Sequence, residues 1–393
     1  MLIVTDNKDL KDRLNTVNNI AVSHKDASKH SIRELHIGIA NMMPGSALKA
    51  TEIQFLKLIA KAPAFAKIVP HLIRVDGIDY GALQPYVDET YETLETVKEH
   101  GLDAMIVTGA NIPNAELKNP PNNPFLEESE FYKALEQLID YAQSDEGPTS
   151  TLYSCLASMA YIQIKHGQVR TKLDEKYWGN YEHWVTNIDH PFIKGISTKF
   201  NQPHSRWNEI TWEQILDSDM KLLALTNDNA PLLATSKDGL RAVLLQGHPE
   251  YDRESLFKEW RRDLSESALK RAKEGNHIPL APFPRDYFEG HALELAEQFV
   301  EKVASGELNE EIIQHGRLTM PSSLSKSILS QVHNTHSSVS NDIIGKWIEE
   351  VYKTTGLGLG EPFMADIDPD NPFNLPEDQT IYCPVYYDTP EQS

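Results

Sequence analysis

The chain has 393 residues, of which 40% are hydrophobic and 24% charged, values typical of a globular protein long enough for one large domain or two. Its 58 acidic and 37 basic residues give a formal net charge of −21 at pH 7. This charge disfavours nucleic acids and anionic membranes as partners, although it is compatible with a local basic pocket for a phosphate group.

Cysteine and apolar residues are distributed as in a protein of the reducing cytosol. Cys155 and Cys383 lie far apart and form no Cys-x-x-Cys motif, so we expect no disulfide framework and a cytoplasmic location. No cluster of His, Cys or carboxylate residues has metal-ligand spacing, so no metal is expected. Residues 1–14 lack the apolar core of a signal peptide, and no apolar run of about 18 residues predicts a membrane span.

Short apolar strands alternate with helices in the first half of the chain. Residues 1–33 are polar and mixed in charge, which predicts a surface arm. The pattern then predicts strands at residues 35–40, 67–75, 103–107 and 150–154, with helices after residue 45, at 91–100 and at 131–141. This alternation predicts an α/β fold with a doubly wound, mostly parallel sheet.

The second half contains loops as well as strands and helices. Residues 111–125 are rich in Asn and Pro and predict a rigid loop over the strand ends, and residues 171–204 predict a long irregular insertion or small cap. Further strands are expected at 222–225, 232–234 and 241–245, with a hairpin turn at 237–239, followed by helices at 254–273 and 291–304.

The chain beyond residue 305 has no motif that we can match. Residues 322–340 are Ser-rich and predict weak structure, residues 341–352 predict one helix, and residues 366–393 predict an extended or partly disordered tail. We therefore divide the chain into an N-terminal arm (1–33), a catalytic domain (34–305) and a C-terminal extension of unknown role (306–393).

Cys155 is predicted to lie at the corner where a buried strand turns into a helix. A side chain at such a corner is exposed, and the backbone N–H groups of the helix start beside it favour a thiolate and can hold an oxyanion. The alternative interpretation of a lone Cys is a small buried hydrophobic residue.

A second apolar strand ends in Gly247-His248-Pro249-Glu250. On an extended segment residues i and i+2 point to one side, so His248 and Glu250 can face a common partner. Cysteine chemistry needs a base for the thiol proton and a carboxylate that orients the imidazole. Because ligands collect at the carboxyl ends of parallel strands, we predict a catalytic set of Cys155, His248 and Glu250.

Several motifs, in one order over roughly residues 30 to 305, resemble the homoserine O-acyltransferase family, which comprises homoserine O-succinyltransferase and its acetyl-using relatives. The resemblance implies a flavodoxin-like fold of the class I glutamine-amidotransferase-like superfamily, and a homodimer. The motifs are Asn41-Met42-Met43-Pro44, residues 50–56, Thr108-Gly109-Ala110, residues 150–155, Glu175-Lys176, Tyr181-Glu182-His183, Pro203-His204-Ser205-Arg206, residues 247–252 and Arg262-Asp263.

The resemblance also implies which residues bind the acceptor. Lys176, Ser205 and Arg262 match the family's acceptor-binding positions, and a guanidinium suits a bidentate contact with a carboxylate. From their residue types alone, Lys176 and Arg262 are equally compatible with solvated surface charges, and Ser205 with a turn residue.

Four features depart from the family pattern. The family's turn of Met-Pro-Lys-Lys type is replaced here, so only Lys49 is left as a candidate basic helper. Pro113 occupies the position that selects the acyl donor, where Gly favours succinyl and Glu favours acetyl. Leu156 and Ala157 follow Cys155 where Trp-Gly or Trp-Ala is usual, and the chain extends beyond residue 305. The donor therefore stays open between succinyl-CoA and acetyl-CoA.

The resemblance implies O-acylation of an amino-acid hydroxyl by ping-pong acyl-cysteine chemistry in methionine biosynthesis, with acyl-CoA as co-substrate and no bound cofactor. Homoserine is the expected acceptor, and serine, one methylene shorter, is the closest alternative. Two further interpretations are a glutamine-amidotransferase-type Cys hydrolase and a non-catalytic binding protein. The first normally has Gly on both flanks of its cysteine elbow, where this chain has Tyr153 and Ala157.

Overall fold

A computed structural model describes residues 1–18, 20–29, 31–45, 47–62, 66–110 and 129–376. Within these residues one 11-stranded sheet has the strand order β2-β1-β4-β3-β5-β6-β11-β10-β9-β7-β8. The strands are β1 (Leu2–Val4), β2 (Ala21–Val22), β3 (Glu34–Ala40), β4 (Lys67–Ile73), β5 (Ala104–Val107), β6 (Ser150–Ser154), β7 (Thr171–Val185), β8 (Lys199–Glu209), β9 (Lys221–Thr226), β10 (Pro231–Thr235) and β11 (Ala242–Leu245).

Helices connect and cover the strands. They are α1 (Lys8–Asn18), α2 (His24–Ala27), α3 (Ala47–Ala60), α4 (Gln84–Thr90), α5 (Leu94–His100), α6 (Glu130–Gln143), α7 (Leu156–His166), α8 (Trp212–Asp217), α9 (Ser255–Glu274), α10 (Gly290–Ala304), α11 (Asn309–His315), α12 (Ser322–Gln331) and α13 (Ser337–Thr354).

The strands from β2 to β11 in this order are all parallel, which confirms the predicted sheet. Every residue of β5 and β6 is buried, as expected for strands covered on both faces. One apolar core includes side chains of α1, α3 and α13, and the other includes those of α6 and α7. The register of β6 with β11 pairs Ser154 with Leu245, so Cys155 and the residues after Leu245 emerge at the same edge.

An antiparallel extension continues the sheet beyond β11. The predicted hairpin of β10 and β11 is confirmed, and β9, β7 and β8 follow it with antiparallel pairing. The expectation of an irregular region at residues 171–204 is wrong, because β7 and β8 form one long hairpin there. Its strands are polar over long stretches, and pairing between residues so far apart leaves no local signal in the sequence.

Residues 1–33 also differ from the expected surface arm. Strand β1 pairs with both β2 and β4 in the parallel sheet, and Ile3, Leu10 and Leu14 are buried in its core. The prediction failed because β1 and β2 are only 3 and 2 residues long, too short to show a periodic pattern.

Helices are also present where weak structure was expected near the C-terminus. Helix α12 occupies part of the Ser-rich segment, and α13 packs against α3, with Trp347 fully buried. A separate apolar cluster around Trp260 joins α9, α10, α11 and α12. The C-terminal helices therefore pack in two places: α13 lies against α3, and α12 lies in the cluster around Trp260. The division into residues 1–33, 34–305 and 306–393 stays a prediction.

None of the helices in the described ranges is both long enough and apolar enough to span a membrane.

We expect Trp347→Ala to lower the free energy of unfolding by about 3–5 kcal/mol, the usual cost of removing a large aromatic side chain from a core. The indole is buried, and its Nε1–H donates to Oγ of Ser150 at 2.8 Å. Urea unfolding of the full chain measures the change. Asp342→Ala, at an exposed position of the same helix, should stay within about 0.5 kcal/mol. Equal losses for both variants would contradict the anchoring role of Trp347.

Candidate active site

Cys155 lies in the tight turn between β6 and α7. Its backbone has φ 49° and ψ −110°, a left-handed conformation that costs a non-glycine residue about 1–3 kcal/mol. The conformation is held by the hydrogen bond from the Cys155 N–H to the carbonyl of Leu245, at 2.6 Å. The turn presents the thiol at the strand end, where the side chain is partly exposed. The predicted elbow is therefore present.

Gly109 follows β5 and lies directly beside the thiol. A Cβ at this position would be 3.3 Å from Cβ of Cys155 and 3.9 Å from its Sγ. Any larger residue at position 109 would therefore fill the space in front of the nucleophile. The Thr108-Gly109-Ala110 motif keeps the backbone of β5 close to Cys155 without covering it.

His248 is fixed at the end of β11 by contacts with the neighbouring strands. Its N–H donates to the carbonyl of Pro203 at 2.8 Å. A Cβ on Gly247 would be 2.6 Å from Cδ1 of Leu232 and 3.0 Å from the same carbonyl of Pro203, so a larger residue would require these groups to shift. Nδ1 of His248 is 2.8 Å from Oε1 of Glu250, and both side chains are buried. The predicted His-x-Glu pair is thus formed.

The charges around His248 favour its protonated form. Burial by itself lowers the pKa of the imidazole, but the charges of Glu250 and Cys155, together with the hydrogen bond to Glu250, outweigh it and raise that pKa well above its usual value. Nδ1 of His248 contacts Glu250, and Nε2 is buried with no hydrogen bond to another described residue. The site can therefore hold a protonated imidazole near the thiol of Cys155.

Tyr251 covers the ring of His248. The two rings are stacked, with centroids 4.3 Å apart and planes at 21°. The Tyr251 hydroxyl donates to Oε1 of Glu259. Burial, followed by the charges of Glu259 and Glu250, raises the pKa of the phenol well above its usual value, so the phenol stays protonated.

Ser205 and Lys176, which are predicted to bind the acceptor, both contact Glu259, a carboxylate on α9. Oγ of Ser205 donates to Oε2 of Glu259 at 2.7 Å, and Nζ of Lys176 lies 3.3 Å from the same oxygen. Lys176 also contacts Oδ2 of Asp263 at 2.8 Å. The carbonyl of Ser205 is 3.9 Å from Sγ of Cys155, which links this polar group to the nucleophile.

Arg262 is at the solvent edge of the same group. Its NH2 contacts Oδ1 of Asp263 at 2.7 Å, and its side chain is about half exposed (51%). Asp263 therefore connects Arg262 to Lys176. All three predicted acceptor-binding residues lie in one charged group beside Cys155.

Lys49 is not brought into this group. Its ammonium pairs with Asp9 at 3.0 Å and lies 3.9 Å from the centre of the Tyr86 ring. None of its described contacts reaches Cys155 or His248. Pro113, predicted to select the acyl donor, lies outside the described residues.

Sequence reasoning missed Glu259, Asp263 and Tyr251. The charged run at residues 258–263 was predicted to belong to a helix at 254–273, and of its residues only Arg262 was assigned a role in the site. The spacing of Glu259 and Asp263 is i and i+4, which places both carboxylates on one face of α9. With Arg262 between them, that spacing was the signal for a polar site.

No group of three or more His, Cys, Asp or Glu side chains able to hold a metal ion occurs in the ranges that the structure describes.

Comparison with known proteins gives one family model and many relatives. A model described as homoserine O-succinyltransferase matches residues 1–357, beyond the range of 30 to 305 that the motifs covered. A homoserine O-succinyltransferase from Thiobacillus denitrificans is 36% identical over 355 residues, 90% of this chain and 93% of that protein. One from Nitrosococcus oceani is 36% identical over 353 residues, which cover 89% of this chain and 92% of that protein. Among solved structures, a glutamine amidotransferase from Methylobacillus flagellatus is 12% identical and covers 81% of this chain and 95% of that one, with a TM-score of 0.41.

We expect Glu250→Gln to slow alkylation of Cys155 by iodoacetamide at neutral pH. Glu250 raises the pKa of His248, so its loss lowers that pKa and the imidazolium then deprotonates at a lower pH. Each unit of lost pKa corresponds to about a tenfold change in the protonation equilibrium. The rate is measured as a function of pH. Asp252→Asn, the same exchange at an exposed neighbouring position, should leave the profile unchanged, whereas an unchanged profile for Glu250→Gln would contradict this electrostatic role.

Proposed function

Because the chain belongs to the homoserine O-succinyltransferase family, we propose that its reaction proceeds through a succinyl-Cys155 intermediate. The enzyme transfers the succinyl group of succinyl-CoA to the hydroxyl of homoserine in methionine biosynthesis. Of the two donors left open by the sequence, succinyl-CoA is therefore the donor. The observation that supports the covalent route is the strained Cys155 turn beside the buried pair of His248 and Glu250.

In the first half-reaction the Cys155 thiolate attacks the thioester carbonyl of succinyl-CoA. The C–S bond to CoA breaks, and the CoA thiolate takes the proton from the His248 imidazolium. The product is a second thioester, so the acyl group keeps its high transfer potential. Glu250 stabilises the imidazolium until the proton is transferred.

In the second half-reaction neutral His248 accepts the proton of the homoserine hydroxyl while the hydroxyl oxygen attacks the acyl-cysteine. The C–S bond to Cys155 breaks, and O-succinylhomoserine leaves. The thiolate and the imidazolium are restored together, so the free enzyme returns to its starting state of charge.

The tetrahedral intermediates carry a negative oxygen that needs hydrogen-bond donors. Leu156 is the first residue of α7, and its N–H has no partner within the helix. The close approach of Gly109 to Cys155 brings a second backbone segment to the same side. We assign the oxyanion hole to the N–H groups of these two residues.

The acceptor is a zwitterion, and the charged group beside Cys155 contains both signs of charge. Lys176 and Arg262 suit its carboxylate, and Glu259 suits its ammonium. Ser205 joins this group to the nucleophile through its own carbonyl. Serine is one methylene shorter, and we expect it to bind about 1–3 kcal/mol less favourably.

Three expectations from the sequence remain part of the proposal. Acyl-CoA is a co-substrate and no resident cofactor is assigned, since the acyl transfer is completed by side chains alone. The homodimer and the cytoplasmic location stay predictions. Sedimentation of the purified chain tests the homodimer.

We expect succinyl-CoA alone to add one succinyl group to the protein, detected by intact mass. Cys155→Ser should abolish this adduct and lower kcat/KM by at least about 10³-fold, because a serine hydroxyl is not ionised near neutral pH. Cys383→Ser is the matched control, and it should keep both the succinyl adduct and the wild-type kcat/KM. Full activity of Cys155→Ser would contradict the mechanism, and ammonia release from glutamine would favour the hydrolase alternative.

We expect Arg262→Gln to raise KM for homoserine by about 10- to 100-fold, the effect of losing a charge-assisted hydrogen bond of about 1.5–3 kcal/mol. The rate of acylation by succinyl-CoA should not change, since the acceptor is absent from that step. Arg261→Gln, the same substitution at the exposed neighbouring position, should alter neither quantity. An unchanged KM for Arg262→Gln would remove this residue from the acceptor site.

A further inference from the structure

We propose that helix α13 supports the active site and that His336, at its start, is a positioning residue that holds Tyr251 against the ring of His248. The inference rests on the reaction proposed above and extends it to the C-terminal part of the chain, for which the sequence indicated no role.

His336 makes a direct contact with the backbone of Tyr251. Nε2 of His336 lies 2.9 Å from the carbonyl oxygen of Tyr251, so this nitrogen carries the hydrogen and donates it. The His336 side chain is buried, with 7% of the residue exposed. Since the ring of Tyr251 stacks on His248, the contact fixes the residue that shields the catalytic imidazole.

The His336 side chain does not cap its own helix. His336 is the N-cap residue of α13, yet its side chain makes no capping hydrogen bond. Oδ1 of Asn334 accepts from the N–H groups of His336 and Ser337 instead, at 3.3 and 3.0 Å. The imidazole is therefore available for Tyr251, and its role is distinct from helix termination.

The neutral state of His336 suits its position near the catalytic carboxylate. Burial lowers the pKa of His336, and Lys61 adds to this effect, while the bond to the carbonyl and the charges of Glu250 and Asp252 oppose it. The net shift is downward, so the ring is neutral at neutral pH. A neutral ring adds no positive charge near Glu250 that would compete with the catalytic imidazolium.

Two more contacts connect α13 to the strands of the site. Oγ of Ser340 accepts from Nε2 of Gln202 on β8 at 2.9 Å, and Nε1 of Trp347 donates to Ser150 on β6 at 2.8 Å. These residues share one face of the helix with His336, since their spacings of 4 and 7 residues are helical repeats. One face of α13 thus contacts the strand that carries the nucleophile, the strand that carries Ser205 and the segment after the catalytic histidine.

The test compares single-turnover acylation by succinyl-CoA in full-length variants. His336→Leu removes the donor at similar volume and should slow acylation about 10- to 100-fold, as expected for a small displacement of a catalytic group. His336→Gln keeps an N–H donor and should stay within about threefold of the wild-type rate. His333→Leu, the same substitution at an exposed position of the preceding loop, is the matched control and should not change the rate.

A double variant separates positioning from general stability. In a Tyr251→Ala background the ring is absent, so His336→Leu should add less than about a twofold further loss. Wild-type acylation by His336→Leu, equal loss in His336→Gln, or an undiminished effect in the Tyr251→Ala background would each overturn the proposal. Failure of the wild-type chain to become acylated would contradict the covalent mechanism instead, and the iodoacetamide alkylation rates of Cys155 in the same variants would then decide the role of His336.

Discussion

A buried imidazole between a carboxylate and a thiol is the interaction on which the rest of this structure depends. Burial alone would lower the pKa of His248 and favour the neutral ring, since a charged ring is poorly solvated inside a protein. The charges of Glu250 and Cys155 reverse that preference, and the contact between Nδ1 and Oε1 of Glu250 fixes the orientation of the ring. The fold therefore has to hold side chains from separate strands in one fixed arrangement.

The parallel sheet supplies this precision through its strand ends. β6 and β11 are neighbours in register, so Cys155 and the segment of His248 leave the sheet at one edge. The left-handed backbone at Cys155 turns the thiol outward, and Gly109 and Gly247 leave space where a Cβ would be in tight contact with its neighbours. Strain and close packing at these points are stabilised by the buried strands on either side. The residues proposed to bind the acceptor lie outside the parallel sheet, in the β7–β8 hairpin and in α9.

Prediction from the sequence succeeded wherever a signal was local. The parallel strands, the β10–β11 hairpin and the corner at Cys155 were marked by apolar runs and turn residues, and the structure has all of them. It failed where pairing joined distant or very short segments, as in the β7–β8 hairpin and in β1 and β2. The Ser-rich segment that becomes α12 failed for a related reason, since much of its stability comes from the apolar cluster around Trp260.

The candidate site shows the same division. The sequence by itself determined the chemical groups: a cysteine at one strand end, a His-x-Glu at the end of another strand, and a family resemblance whose motifs predict the acceptor-binding residues. Only the tertiary structure decided that Lys49 pairs with Asp9 and makes no described contact with Cys155 or His248. It also decided that Glu259 contacts both Ser205 and Lys176, and that His336 contacts Tyr251. The physical reason is that residue type and spacing specify local geometry, whereas the partner of a buried polar group depends on which distant segment the packed core brings beside it.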